Sequence, residues 1–183
     1  PVGVVAHTRD GGANWSAEHL PGDSPLTVHA FSPEAVWASG SALAVNPAFY
    51  QTLDGGLQWD HVIQLGLNDH LDDICAGSPN DVWGALNGNE SQGAIWRVHV
   101  KSDGTLAKMD FYPPEMDSYM AGGVTCMDPR VAWVVADLSP LDHHPTKPLG
   151  IILHTTDGGK TWVQQAAPTH VKYWKISFAG ARR

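Results

Sequence analysis

Short apolar stretches alternate along the chain with groups of Gly, Pro, Asp and Asn, and no apolar run approaches the roughly 18 residues of a membrane span. Three of these stretches, at residues 4–6, 48–50 and 151–153, lead directly into a polar segment that contains Asp-Gly-Gly. Short apolar runs bounded by turn residues are typical of β-strands rather than of long helices. The pattern therefore predicts an all-β chain.

The Asp-Gly-Gly segments belong to a repeat. The pattern Thr-x-Asp-Gly-Gly-x-x-Trp occurs at residues 8–15, 52–59 and 155–162, which we name the first, second and third box, and a worn copy occupies residues 101–105. The aspartates of the four copies are 44, 49 and 54 residues apart. A second motif keeps the same register and ends at Trp37, Trp83 and Trp133. A repeat of about 45 to 50 residues made of short strands is the period of a four-stranded propeller blade.

The residue types in each box predict a hairpin. Asp-Gly-Gly supplies the positive-φ positions of a tight turn, and the aspartate can accept backbone N–H bonds across it. The tryptophan of each box then returns to the core, as do those of the second motif, which leaves Trp96 and Trp174 as candidate exposed aromatic platforms. We therefore expect structural rather than catalytic roles for the box residues, namely Asp10, Gly12, Trp15, Asp54, Gly56, Trp59, Asp103, Asp157, Gly159 and Trp162.

The boxes resemble the Asp-box, or BNR, repeats of the sialidase-like β-propeller superfamily. Within this superfamily the chain is most similar to the photosystem II assembly-factor propellers and their uncharacterised bacterial relatives. The similarity lies in Val-Trp before the box together with His-Thr-Thr-Asp-Gly-Gly-Lys-Thr-Trp at residues 154–162. The resemblance covers nearly the whole chain. It implies a β-propeller of four-stranded antiparallel blades with Asp-box hairpins, and an extracytoplasmic location, periplasmic or secreted. It does not imply one chemistry, because one fold supports many functions.

The repeat predicts a single propeller segment with three blades, at about residues 24–66, 69–114 and 120–167. A split blade would combine residues 170–183, with an inner strand at 173–178, and residues 1–20. This gives about three and a half blades of a larger ring, completed by self-association or by missing blades. A four-bladed ring with a three-stranded closing blade is the alternative. The chain begins at Pro1 without an initiator Met, as expected of a processed form or an excerpt.

The net charge of the chain narrows the classes of possible partner. The 183 residues include 11 Lys and Arg against 19 Asp and Glu, a net charge of −8, so nucleic acid is not expected as a partner.

The two cysteines of the chain are not expected to pair. Cys75 and Cys126 fall at neighbouring positions on equivalent inner strands, and their side chains should point to opposite faces. We therefore expect two buried thiols rather than a disulfide.

Candidate chemistry gathers in the loops on the face opposite the boxes. The loops there differ most between repeats and are acidic, whereas residues 172–183 carry four cations and no acid. We name this face the acidic rim and predict that it is the contact surface. Its predicted binding residues are Asp69, His70, Asp72, Glu90, Glu115, Asp117, Tyr119, Asp137, Asp142, His143, His144 and His170.

Three interpretations of the acidic rim compete. The favoured one is a non-enzymatic surface for a protein partner, with the acidic field steering association. A glycan-binding or glycoside hydrolase propeller is the alternative, and its carboxylates would come from Asp69, Asp73, Asp137 and Asp142. A metal site at His143 and His144 is the third, although typical zinc-ligand spacing is missing.

The residues argue against several other chemistries. A sialidase site would need three converging arginines, but none of the five arginines, Arg9, Arg97, Arg130, Arg182 and Arg183, is predicted to lie in a rim loop. Motifs for a nucleophile elbow, a phosphate-binding glycine loop or a redox cysteine pair are missing from the sequence. The sequence therefore predicts no cofactor.

Overall fold

The computed structural model describes residues 3–20, 24–42, 46–65, 69–88, 94–112, 119–139, 146–168 and 170–178. The regular structure in these ranges is entirely β, and they contain no helix long and apolar enough to cross a membrane. The strands are β1 (Val4–His7), β2 (Ser16–His19), β3 (Ser24–Ala30), β4 (Val36–Ala42), β5 (Asn46–Thr52), β6 (Asp60–Gln64), β7 (Asp69–Ser78), β8 (Asp81–Gly88), β9 (Ala94–Val100), β10 (Leu106–Tyr112), β11 (Tyr119–Cys126), β12 (Ala132–Leu138), β13 (Gly150–Thr155) and β14 (Val163–Gln164).

The strands form three four-stranded antiparallel sheets and one two-stranded sheet. Strands β3 to β6, β7 to β10 and β11 to β14 each pair in sequence order, and we name these sheets the first, second and third blade. Strands β1 and β2 pair only with each other in the described part of the chain. Meandering four-stranded sheets are the blades of a propeller. The predicted all-β propeller fold is thus confirmed.

The second and third boxes each fold onto the turn that joins the first two strands of their own blade. The amide of Gly55 donates to the carbonyl of Glu34, and the amide of Gly158 donates to that of Arg130, both at 2.9 Å. Gly55 and Gly158 have φ of 74° and 79°, a conformation that favours glycine. The second and third boxes and the motif turns therefore share one face of the molecule, and Asp69 and Asp137 of the predicted acidic rim lie towards the opposite ends of their strands.

The hydrophobic core lies between the sheets. One cluster joins Trp37 of the first blade to Ile74 of the second, and another joins Trp83 of the second blade to Val134 of the third. A smaller cluster around Tyr50 joins the first blade to the β1–β2 hairpin. Each blade therefore buries its apolar faces against its neighbours rather than within itself.

The expectation that Cys75 and Cys126 remain separate thiols is wrong, because they form a disulfide with their Cα atoms 5.8 Å apart. Cys75 lies opposite Trp83, whereas Cys126 is one position past the residue opposite Trp133. The two side chains do leave opposite faces of equivalent sheets. Neighbouring blades, however, pack with opposite faces towards each other, so this alternation brings the sulfurs together. The bond joins the inner strands of the second and third blades.

Residues 170–178 contain no strand. The segment instead runs in extended form across the third blade, where the side chain of Phe178 packs on Trp133 with ring centroids 4.5 Å apart. A β-ladder needs a neighbouring strand, and none pairs with this segment in the described residues. We name it the 170–178 segment. Its membership of a split blade with residues 1–20 stays a prediction.

We expect the Cys75→Ser/Cys126→Ser double variant to unfold at a temperature about 5–15 °C lower than the unsubstituted chain. A native disulfide contributes about 2–4 kcal/mol, largely by restricting the unfolded chain. Thermal unfolding with and without reductant measures the difference. Reductant should lower the melting temperature of the unsubstituted chain only. Labelling that finds two free thiols before reduction would contradict the bond.

Candidate functional site

Asp73 of the acidic rim connects three parts of the structure. Its Oδ2 accepts a hydrogen bond of 3.1 Å from the amide of Val124 in the third blade. Its Oδ1 lies 3.0 Å from the ammonium of Lys175, which also donates to the carbonyl of Asp72 at 3.1 Å. The carboxylate therefore holds both a neighbouring blade and the 170–178 segment.

Asp137 holds the same segment from the third blade. Its Oδ1 accepts a 2.6 Å hydrogen bond from the amide of Tyr173, and the residue is only 8% exposed. Burial raises the pKa of Asp137, while the bond from Tyr173 and the charge of Lys172 oppose that shift. The two carboxylates thus bind a backbone amide and a lysine from one extended stretch of chain.

Glycines of the third blade let this stretch lie close to the sheet. A Cβ on Gly123 would lie 3.1 Å from the carbonyl oxygen of Trp174, and one on Gly150 would lie 2.7 Å from that of Val171. The contact at Gly123 would be tight, and the contact at Gly150 is too short for any other residue unless the neighbouring backbone shifts. The third blade therefore offers a glycine-lined track for an extended peptide, and the 170–178 segment occupies it.

The remaining predicted rim residues are only partly described. The hydroxyl of Tyr119 donates to the carbonyl of Pro148 at 3.1 Å, and His170 is exposed. The backbones of Asp69 and His70 lie in β7, but their side chains fall outside the description. Residues outside the described ranges altogether are Glu90, Glu115, Asp117, Asp142, His143 and His144. Within the described ranges, no group of three metal-ligating side chains is present.

The box aspartates accept hydrogen bonds within their own hairpins. Asp54 Oδ1 accepts from the amide of Gln58 at 3.0 Å and from the hydroxyl of Thr52 at 2.7 Å. Asp10 and Asp157 make the equivalent bonds in the first and third boxes. In the worn copy, Asp103 accepts from the amide and hydroxyl of Thr105. These carboxylates are occupied by the turn that they stabilise.

The same hydrogen bonds lower the pKa values of these carboxyl groups. The amide of Asn14 is the main cause that lowers the pKa of Asp10 to about 2, and the hydroxyl of Thr161 does the same for Asp157, also to about 2. The pKa of Asp54 is also lowered, chiefly by the amide of Gln58. A pKa lowered by donors stabilises the charged form and does not suit a general acid.

Arg97 and Arg9 make contacts between neighbouring sheets. Arg97 forms a bidentate ion pair with Asp81, in which both N–O distances are 2.9 Å. The Nη1 of Arg97 also donates to the carbonyl of Gly158 in the third box at 3.1 Å. Arg9 of the first box donates to the carbonyl of Asp54 in the second at 3.4 Å. Both lie on the box face and point to different neighbours, so they do not form a carboxylate clamp.

Tryptophan burial departs from the expectation at two positions. Trp37, Trp83 and Trp162 are buried, as expected. Trp15 is 64% exposed, because no sheet covers the first box in the described structure. Trp96 packs partly against the core between the first two blades and is not an exposed platform, whereas Trp174 is 72% exposed, as expected.

A polar groove on the box face was not anticipated from the sequence. It has a volume of about 290 Å³ and lies between the first and second boxes. No motif signals it, because its walls come from two hairpins that are distant in sequence and serve as turns. Its lining residues are His7, Arg9, Asp10, Asn14, Ser16, Glu18 and Leu57.

No known family model and no curated protein matches the chain. Among solved structures it is similar to a GH74 xyloglucanase from Xanthomonas campestris, with 18% identity, a TM-score of 0.51, and coverage of 74% of this chain but only 19% of that one. YCF48 from Cyanidioschyzon merolae matches with 18% identity, a TM-score of 0.44 and coverage of 97% and 69%. YCF48 bound to D1 peptide matches with 19% identity, a TM-score of 0.37 and coverage of 96% and 65%.

The chain therefore spans about a fifth of the xyloglucanase and about two thirds of the YCF48 chains. At 18% identity the xyloglucanase similarity shows the fold alone, and it agrees with the predicted β-propeller fold. Activity must be argued from the residues of this chain.

We expect Asp157→Ala to lower the melting temperature at neutral pH and to make the melting temperature depend less on pH under acidic conditions. A carboxyl group with a folded pKa below its unfolded value stabilises the fold above the unfolded pKa of about 4. That contribution is lost as the pH falls through the folded pKa of about 2. Melting curves between neutral pH and pH 2 measure the effect. Asp60→Ala, which removes an exposed aspartate outside the boxes, is the control, and equal curves for both variants would contradict the role.

Proposed function

We propose that this chain is a non-enzymatic binding scaffold that recognises a protein partner through its acidic rim. The observation that supports it is the contact made by Asp73 and Asp137 with the 170–178 segment. One carboxylate accepts the ammonium of Lys175 and the other accepts the amide of Tyr173. This is the chemistry by which an extended, basic peptide binds a surface.

The charge of the chain favours the same kind of partner. The net charge is −8, and the sequence predicts that the acids of the contact surface gather at one end of the blades. A negative electrostatic field accelerates association with a positively charged partner. Dissolved salt screens the field and removes this acceleration. The blades supply a rigid support, and the loops of the rim supply selectivity.

A glycoside hydrolase remains the alternative from the same fold. Such an enzyme needs one carboxylate to donate a proton and a second to attack or to activate water. Asp73 and Asp137 instead accept hydrogen bonds from other parts of the chain. Turnover of a chromogenic glycoside panel that disappears in Asp137→Ala would establish the enzyme and overturn the scaffold.

We also propose an extracytoplasmic location, periplasmic or secreted. The disulfide between Cys75 and Cys126 supports it, because such bonds persist in oxidising compartments and are rare in reducing ones. Thiol labelling of the chain in fractionated source cells tests the location. Finding it as a dithiol in the cytoplasm would refute the proposal.

We expect peptides selected from a random display library against this chain to be basic, and their association rates to fall as salt rises. The Asp69→Asn/Asp117→Asn/Asp142→Asn variant should lower those rates by about tenfold or more, because electrostatic steering is lost. Stopped-flow fluorescence at several ionic strengths measures the change.

A matched variant distinguishes the effect of the rim charges on the association rate from the effect of the net charge. Glu18→Gln/Glu34→Gln/Asp60→Asn removes the same number of charges from the box side and should leave the rates nearly unchanged. Selected peptides without a basic bias, or equal rates for both triple variants, would refute recognition through the rim.

A further inference from the structure

A histidine of the first blade lies beside the disulfide. The Nε2 of His29 on β3 lies 3.8 Å from the Sγ of Cys75 on β7, and the bond joins that sulfur to Cys126 on β11. The histidine and this cysteine occupy equivalent positions, opposite Trp37 and Trp83 in their blades. The inner strands of the three blades therefore meet at one imidazole ring and two sulfurs.

A second hydrogen bond determines where the ring of His29 carries its proton. The amide of Ala76 donates to Nδ1 at 3.1 Å, so the neutral ring is protonated on Nε2, the nitrogen that faces the sulfur. Burial lowers the pKa of His29 and favours the neutral ring, while the charge of Asp73 opposes that shift. Asp73 is itself paired with Lys175 at 3.0 Å. The ring thus presents an N–H donor to Cys75.

This donor suits a sulfur that carries a negative charge. A sulfur atom without charge is a weak acceptor, whereas hydrogen bonds to charged groups are about twice as strong as those between neutral ones. The contact with His29 therefore stabilises Cys75 more as a thiolate than as one half of a disulfide. Stabilising the reduced form makes a disulfide easier to reduce.

We propose that the bond between Cys75 and Cys126 is a redox-active site that exchanges with dithiols, in which His29 stabilises Cys75 as a thiolate. The substrate class is a molecule with two neighbouring thiols. No local motif indicates this site, because the two cysteines are 51 residues apart and the histidine belongs to another blade.

The exchange proceeds in two displacements. Cys126 is only partly buried whereas Cys75 is 3% exposed, so the first thiolate of the dithiol attacks the Sγ of Cys126. A mixed disulfide forms, the bond between the cysteines breaks, and its electron pair leaves on Cys75 beside His29. The second thiolate attacks the mixed disulfide and releases Cys126, which takes up a proton from water. The dithiol gives two protons to water and two electrons to the chain, and becomes a disulfide.

Equilibration of the folded chain with reduced and oxidised dithiothreitol tests the site. At about pH 9, His29→Asn should lower the equilibrium constant for reduction about tenfold, or about 30 mV in reduction potential, because one hydrogen bond to a charged group is lost. The asparagine oxygen can still accept from the amide of Ala76, but its amide is too short to reach the sulfur. At about pH 6 the constants should be nearly equal, because free cysteine titrates at about pH 8.5 and little thiolate is present.

A matched histidine variant is the control for the equilibration. His19→Asn replaces an exposed histidine of β2 and should match the unsubstituted chain at both pH values. His29→Gln places an amide N–H near the position of Nε2, so it should restore most of the constant that His29→Asn loses at about pH 9.

Single-thiol variants test the contact without the disulfide. In Cys126→Ser, the ultraviolet absorbance of the Cys75 thiolate should reach half its full change at a pH about one unit lower than in Cys126→Ser/His29→Asn. The midpoint for the other thiol, measured in Cys75→Ser, should not respond to His29→Asn. A histidine that only filled space would not move either midpoint.

Three results would overturn the proposal. The first is a His29→Asn chain that is reduced like the unsubstituted chain at about pH 9, because the histidine would then not stabilise the thiolate. The second is an equal change at both pH values, because the variant would then alter packing rather than the charged sulfur. The third is a folded chain whose disulfide dithiothreitol does not reduce at any concentration.

Discussion

Packing of one sheet face on the next is the interaction on which the rest of this structure depends. A blade is a single thin layer and cannot bury its own apolar side chains, so a second layer must cover them. Trp37 and Trp83 are fully buried because a following blade covers each of them. Trp133 has the same place in the third blade, where Phe178 and His154 pack on its ring. Stability in such a repeat is shared between neighbours.

The second blade shows that this packing survives the loss of a box. Its copy at residues 101–105 lacks the second glycine and the tryptophan. Its contact with the first blade is made by the carbonyl of Pro79, which accepts from the indole nitrogen of Trp37 at 2.9 Å and from the side-chain amide of Gln51. Towards the third blade, Asp81 holds Arg97 in an ion pair of 2.9 Å, and His99 lies 3.2 Å from the same carboxylate. Arg97 reaches the third box from there. The contact between blades is thus retained although the hairpin motif has decayed.

The sequence was sufficient to predict the strands of the three blades and the boxes, because these depend on local residue patterns, but the strand predicted at 173–178 is not formed. Asp-Gly-Gly requires positive φ wherever it occurs, and the repeat period sets the four-stranded blade. What depends on distant neighbours could not be read in this way. Trp15 and Trp162 stand in the same motif, yet only one is covered. Asp73 and Asp137 were identified as acids of the rim, but no local pattern indicates that Tyr173 and Lys175 lie on them. The disulfide was missed because alternation was judged within one sheet instead of between two.

The bond between Cys75 and Cys126 also determines how the molecule responds to mechanical load. It encloses most of the second blade and the first strand of the third, a separation of 51 residues. Fully extended, this stretch would measure about 170–180 Å. Tension along the chain cannot draw out that length while the sulfurs remain joined. The parts outside the bond would therefore yield first, namely the β1–β2 hairpin and the first blade on one side and strands β12 to β14 on the other. The oxidised stretch between the two cysteines would act as an inextensible anchor.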